Sequence, residues 1–188
     1  MRTVSPHEAV AALRAGNVAL VPTETVVGLV AAESGLLRVH EIKGRDANKP
    51  IALLCTSAEE AFGLAANVPP LARELAELYW PGPLTLVLDL SSGETIGVRV
   101  PAGDAARDLL TAYGGPLYAT SANLSGEPAR AALDEVDPRM LESVDIVVRG
   151  EGGTGEASAV VDLSGGNARL VRATKELSTQ RLAQLTTQ

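Results

Sequence analysis

The sequence predicts a single α/β domain, spanning residues 1–188, with a twisted, mixed β-sheet flanked by helices. Three observations lead to it. The chain has 188 residues, with 46% apolar and 21% charged residues, the length and balance of one globular domain. Short apolar runs that read as buried strands alternate with capped, amphipathic segments that read as helices. No internal repeat, low-complexity tract or linker divides the chain, and alternation of this kind places helices on both faces of a sheet. With one Trp, three Tyr and one Phe, the core is expected to consist largely of Ala, Leu and Val.

The elements follow in order. Ser5-Pro6-His7-Glu8 has the form of a capping box, with Pro in the first turn, and starts a helix that runs to about Ala15 and closes at Gly16. Asn17–Val21 is a buried strand ending at Pro22, Ser34–Ile42 a second helix, and Ile51–Cys55 a second strand. Ser57 caps a helix whose first turn carries Glu59 and Glu60, where the helix dipole favours acids. Pro69–Tyr79 is amphipathic and stops at Trp80-Pro81-Gly82-Pro83. Leu84–Leu90 and Thr95–Val100 pair across Ser91-Ser92-Gly93. A helix at Asp104–Tyr113 is broken by Gly114-Gly115-Pro116, and a short strand at Leu117–Thr120 enters the polar loop Ser121–Gly126. Three more strands are expected at Val144–Val148, Ala159–Leu163 and Ala168–Val171, with Thr174 capping a C-terminal helix.

Composition removes several classes of function. A formal charge of −7 disfavours non-specific nucleic-acid binding, which needs many cations to displace counterions. A single cysteine excludes an internal disulfide framework and cysteine-rich zinc sites. The first fifteen residues lack the apolar run of a signal peptide, and no apolar stretch reaches the roughly 20 residues needed to span a bilayer. A cytoplasmic protein without membrane association is expected.

Several motifs fail on context. Gly150-Glu151-Gly152-Gly153-Thr154-Gly155 matches a dinucleotide fingerprint, yet a strand-like run follows where a helix is required, so a mobile glycine-rich loop is expected. None of the three lysines follows a glycine, which excludes a Walker A loop. There is no nucleophile elbow, His7 and His40 read as solvated helix residues, and Cys55 reads as core.

Other residues point to an anionic ligand. Lys43, Arg45 and Lys49 fall within seven residues at a helix end. Lys43 alone could complement the helix dipole, whereas cations continuing into the loop suit a polyanion such as a triphosphate. Ser121-Ala122-Asn123-Leu124-Ser125-Gly126 is either a ligand cradle at a strand end or a plain turn. Pro22-Thr23-Glu24-Thr25 also ends a strand with hydroxyls. Arg99 and Arg172, on or at the end of apolar strands, need an anionic partner unless they are structural, and for Arg99 the alternative to a ligand is an internal acid such as Asp162.

Taken in order, these stretches resemble the YrdC-like L-threonylcarbamoyladenylate synthase family. The resemblance rests on Pro22-Thr23-Glu24-Thr25 with Gly28-Leu29, Lys43-Gly44-Arg45 with Lys49-Pro50, and Trp80-Pro81-Gly82-Pro83-Leu84-Thr85. It continues through Val98-Arg99-Val100-Pro101, Thr120–Gly126, Ser158–Asp162 and Leu170-Val171-Arg172, and covers about Val4 to Arg172. It implies a concave basic cavity and condensation of L-threonine, bicarbonate and ATP into threonylcarbamoyl-AMP with release of pyrophosphate. The product would pass to a threonylcarbamoyl-transferase machinery that modifies an adenosine of tRNA, with at most weak direct tRNA contact. By the resemblance, Thr25, Arg99, Ala119 and Ser158 would hold L-threonine, and Arg45, Lys49, Thr95, Ser121 and Arg172 would bind ATP. Lys43, Arg45 and Asn123 would be catalytic. ATP would be a substrate accompanied by Mg2+, with no tightly bound cofactor and no protein-held metal. Val27 stands where the family carries an aromatic residue, a change expected to bear on adenine or substrate packing. Ending at Gln188, the chain is expected to lack the extra C-terminal domain of longer family members.

Overall fold

Short apolar strands build the sheet, several of them buried on both faces, and a computed structural model describes it for residues 2–44 and 51–186. The elements in chain order are β1 (Arg2–Val4), α1 (Pro6–Arg14), β2 (Val18–Val21), β3 (Gly28–Ala31), α2 (Leu36–Lys43) and β4 (Ala52–Leu54). They continue with α3 (Ala58–Gly63), α4 (Pro70–Tyr79), β5 (Leu84–Asp89), β6 (Thr95–Arg99), α5 (Asp104–Tyr113) and β7 (Leu117–Ser121). The remainder are α6 (Pro138–Ser143), β8 (Ile146–Val148), β9 (Ala159–Asp162), β10 (Arg169–Arg172) and α7 (Thr179–Leu185). Among the described residues, ten strands form one mixed sheet in the order β1-β8-β2-β3-β7-β4-β6-β5-β9-β10.

In α1 the Ser5 hydroxyl accepts from Glu8 N, and the Glu8 carboxylate accepts from Ser5 N at 2.7 Å, which completes the capping box. The Ser57 hydroxyl likewise accepts from Glu60 N at 3.2 Å at the start of α3. Helix α2 ends at Gly44, whose φ of 58° is the left-handed conformation that glycine adopts without a Cβ penalty.

The structure adds β1, β3 and α6 to the predicted elements. Gly28–Ala31 is buried on both faces, paired with β2 and β7, so it carries no polar alternation to mark it as a strand. Thr174 does not cap the last helix. Its hydroxyl accepts from Leu177 N in a preceding turn, and Ser178 caps α7 by accepting from Arg181 N. Ser34 belongs to a 3-10 turn, Glu33–Gly35, that leads into α2.

Side chains on the two faces of β2 enter different packing clusters. Ala19 and Val21 pack with α1 and α5 through Ala9, Leu13, Ala106, Leu109 and Leu110. Val18 and Leu20 pack with α2 and α6 through Val39 and Met140. A third cluster joins Leu53, Leu84, Leu86, Leu88, Val98 and Val161 to Ala61 of α3, Leu75 of α4 and Leu182 of α7. Both faces of the sheet are covered around β2, whereas helices cover one face from β4 to β9. No helix among the described residues is long and apolar enough to cross a membrane.

Candidate active site

The face opposite the third cluster forms a cavity of about 450 Å³. Because side chains alternate along a strand, each buried apolar residue alternates with one facing the cavity. On β5, Leu84, Leu86 and Leu88 pack beneath the sheet while Thr85 and Val87 line the cavity. On β6 the cavity residues are Thr95, Gly97 and Arg99, and along β9 they are Ser158, Val160 and Asp162. Ala119, Thr120 and Ser121 of β7 and Thr25 of the β2–β3 loop complete the wall.

On β10, a register shift between Leu170 and Arg172 sets Arg172 opposite Val160. Strict alternation would turn Arg172 to the packed face with Leu170. The bulge instead leaves both Val171 and Arg172 lining the cavity.

Two guanidiniums line the cavity. Arg172 Nε donates to the Ser158 carbonyl at 2.6 Å and its Nη2 to the Ser158 hydroxyl at 3.2 Å. That hydroxyl shares a further hydrogen bond with Thr85 Oγ1 at 2.9 Å. Arg99, 7% exposed, donates from Nε to the Gly82 carbonyl at 3.1 Å. Its Nη2 donates to Glu24 Oε1 at 2.6 Å and Thr25 Oγ1 at 2.9 Å. Burial, and then the nearby Arg99 charge, pull Arg172 below the ordinary arginine value. Two cations lining one low-dielectric cleft favour an anion between them.

The internal acid beside Arg99 is Glu24, not Asp162. Asp162 accepts from Arg169 Nη2 at 2.9 Å and from the Ser164 hydroxyl at 2.6 Å. Lys43, 4% exposed, donates from Nζ to the carbonyls of Ser121 at 2.6 Å and Asn123 at 2.5 Å, and to Asn123 Oδ1 at 3.2 Å. The Asn123 amide nitrogen donates to the carbonyls of Leu124 and Glu127. Lys43 and Asn123 thus hold the loop after β7 in shape. Arg45 and Lys49 lie outside the described residues.

Of the other candidates, Thr25, Thr95, Arg99, Ala119, Ser121, Ser158 and Arg172 all line the one cavity. Val27 does not line it: fully buried, it packs with Leu20 and Leu29, so its exchange for an aromatic bears on the core. Burial, with a smaller contribution from Glu60, pushes the Cys55 thiol up to about 12, consistent with a core role. Among the described residues no group of His, Cys, Asp and Glu could hold a metal ion.

Sequence reasoning missed Glu24 as the partner of Arg99, and Thr85 and Gly97 as the floor. The alternation in Leu84-Thr85-Leu86-Val87-Leu88 was the available signal for Thr85. The glycine-rich run is a loop, as the absence of a following helix implies, but it is a packed one. Gly155 N donates to the Thr25 carbonyl at 2.8 Å, and a Cβ on Gly153 would lie 2.5 Å from Glu24 C. Gly153 lets one backbone lie against another, and Gly155 adopts a left-handed φ of 80°.

The Sua5/YciO/YrdC family, described as telomere recombination, matches residues 11–174. Threonylcarbamoyl-AMP synthase of Stenotrophomonas maltophilia is 36% identical over 182 residues, covering 89% of this chain and 98% of that protein. Threonylcarbamoyl-AMP synthase of Pyrococcus abyssi is 36% identical over 165 residues, covering 81% of this chain and 48% of that protein. The crystal structure of P. abyssi Sua5 complexed with L-threonine superposes with a TM-score of 0.83 at 32% identity, covering 91% of this chain and 56% of that one. The chain therefore spans about half the length of its Pyrococcus relative. Escherichia coli YciO, at 23% identity, shares the fold with a TM-score of 0.81 over 94% of this chain and 97% of that one. The family match over residues 11–174 and the 36% identity across 89% of the chain place this protein in the Sua5/YciO/YrdC family.

Proposed function

We propose that the protein is an L-threonylcarbamoyladenylate synthase, joining L-threonine, bicarbonate and ATP into threonylcarbamoyl-AMP and releasing pyrophosphate. The observation that carries this reading is the pair Arg99 and Arg172 lining one cavity, Arg172 held by Ser158 and Arg99 by Glu24 and Thr25. Arg99 would take the threonine carboxylate, with Thr25, Ser158 and the Ala119 backbone around the amino acid. Arg172, Thr95, Ser121, Arg45 and Lys49 would take the triphosphate. Lys43 and Asn123 would support both by fixing the intervening loop, where the geometry favours positioning over direct attack.

The threonine amine attacks the bicarbonate carbon, water leaves, and the resulting carbamate oxygen attacks the α-phosphorus as pyrophosphate departs. The reaction needs no covalent nucleophile. Catalysis is alignment of the reactants plus stabilisation of charge growing on the phosphates. Mg2+ would arrive with ATP, since Asp162, the carboxylate lining the cavity, is engaged by Arg169 and Ser164. The product would be handed to a cytoplasmic transferase machinery acting on tRNA, with any direct tRNA contact weak.

Incubation of the purified chain with ATP, bicarbonate and labelled L-threonine should yield threonylcarbamoyl-AMP and one pyrophosphate per product. Tight ATP binding without pyrophosphate release, at saturating threonine and bicarbonate, would instead identify a nucleotide-binding module.

A further inference from the structure

Glu24 makes more connections than its place in a loop requires. Its Oε1 accepts from Arg99 Nη2 at 2.6 Å, and its Oε2 accepts from Gly103 N at 2.9 Å. Its main-chain carbonyl accepts from Thr154 N at 3.0 Å. One residue therefore ties together the end of β6, the turn entering α5 and the glycine-rich loop. Close packing encloses it: a Cβ on Gly103 would lie 2.7 Å from Glu24 N, and one on Gly153 2.5 Å from Glu24 C. Burial opposes ionisation of the carboxyl. The Arg99 charge and hydrogen bond, with the N–H groups of Ala102 and Gly103, outweigh it and hold the carboxyl below its ordinary value.

The consequence falls on Arg99. A guanidinium has five donor hydrogens in a rigid plane. Gly82, Glu24 and Thr25 engage Nε and Nη2 and thereby fix that plane. No hydrogen bond within the described residues engages Nη1, on a side chain that lines the cavity. Glu24 thus occupies one edge of the fork and leaves another for a ligand. Its negative charge is already compensated by Arg99 and two N–H groups, so repulsion of an incoming carboxylate is weak beside the alignment gained.

We propose that Glu24 is a positioning residue for the amino-acid substrate, orienting Arg99 so that Nη1 meets the substrate carboxylate. This rests on the synthase reading above. A merely structural Glu24 would lower stability and affect both substrates alike, whereas a positioning residue acts on the amino acid alone.

The test compares the full-length wild type with Glu24→Gln, which keeps the shape and loses the charge, and Glu24→Asp, which keeps the charge and loses reach. Pyrophosphate release would be measured against L-threonine and against ATP, with calorimetric titration of L-threonine and L-threoninamide. Glu24→Gln should raise the KM for L-threonine about tenfold or more, the order expected when one charge-assisted contact is misaligned. The kcat and the KM for ATP should change little, and the preference for L-threonine over L-threoninamide should narrow. An unchanged KM for L-threonine, or a parallel loss for both substrates with a lowered melting temperature, would overturn the assignment. Should Glu24→Gln fail to fold, Glu24→Asp decides: it should show the same selective rise, and a wild-type KM would overturn the proposal. Failure of the wild type to bind L-threonine at all would remove the synthase reading itself, and this inference with it.

Discussion

Arg99 is both tied into the cavity wall and turned toward the cavity it lines. Its Nε and Nη2 engage Gly82, Glu24 and Thr25, so removing the fork disturbs the cavity wall as well as any ligand. Lysine offers a point charge on a flexible stem and cannot reproduce this planar arrangement. Arg99→Lys should therefore weaken L-threonine binding by about 1.5–3 kcal/mol, the range for a lost hydrogen bond to a charged group. ATP affinity should stay near that of the wild type, because Arg172 keeps its own anchors on Ser158. Titration of both substrates, with a melting curve, checks this. A large loss of stability with unchanged threonine affinity would reduce Arg99 to a structural residue. The tie to Glu24 was not readable from Val98-Arg99-Val100, since the two residues are 75 positions apart and meet only when the β2–β3 loop reaches the end of β6.

Among the elements, the glycine-rich loop and the bulged strand decide where functional side chains sit. Residues 150–155 carry a nucleotide-binding pattern in sequence, but Gly150, Gly152 and Gly153 serve close packing, against Ala105, Ala131–Ala132 and Thr23–Glu24 respectively. Gly153→Ala would place a Cβ 2.5 Å from Glu24 C and the Thr23 carbonyl oxygen. Overpacking of this kind costs about 1–3 kcal/mol. The melting temperature should fall, and threonine affinity should fall with it because Thr25 and Glu24 must shift. Thermal denaturation beside a threonine titration tests the coupling, and a stable variant with wild-type affinity would contradict it. Strand β10 was expected from its apolar run, yet only its pairing with β9 produces the bulge that brings Arg172 to the cavity. Capping, by contrast, was legible at Ser5 and Ser57 because a cap depends on residues three apart. At the last helix Thr174 was expected as the cap, but Ser178 caps it, and Leu177, Leu182 and Leu185 on either side of that start pack into the core.

Across the molecule, the sheet separates the packed core from the cavity by face. From β4 to β9, one face packs against α3, α4 and α7, and the other forms the cavity. Leu86→Ala removes a fully buried side chain from the packed face and should cost about 2–5 kcal/mol. Substrate affinity of the folded fraction should remain unchanged, as Thr85 and Val87 project to the other side. Denaturant unfolding beside ligand titration checks both parts, and loss of affinity in the folded protein would show that the faces are coupled. The sequence by itself determined the α/β class, most helices and strands, and the order of the polar motifs, because caps, breakers and apolar periodicity act over a few residues. It also marked Thr25, Arg99 and Arg172, whose hydroxyl and charges stand out at strand ends, while Ser158 entered only through the family resemblance. Only the tertiary structure decided that these residues share one cavity, that Glu24 pairs with Arg99, and that Val27 belongs to the core. Such relations depend on strand order and register, which pair residues far apart in the chain and leave no local trace in either partner.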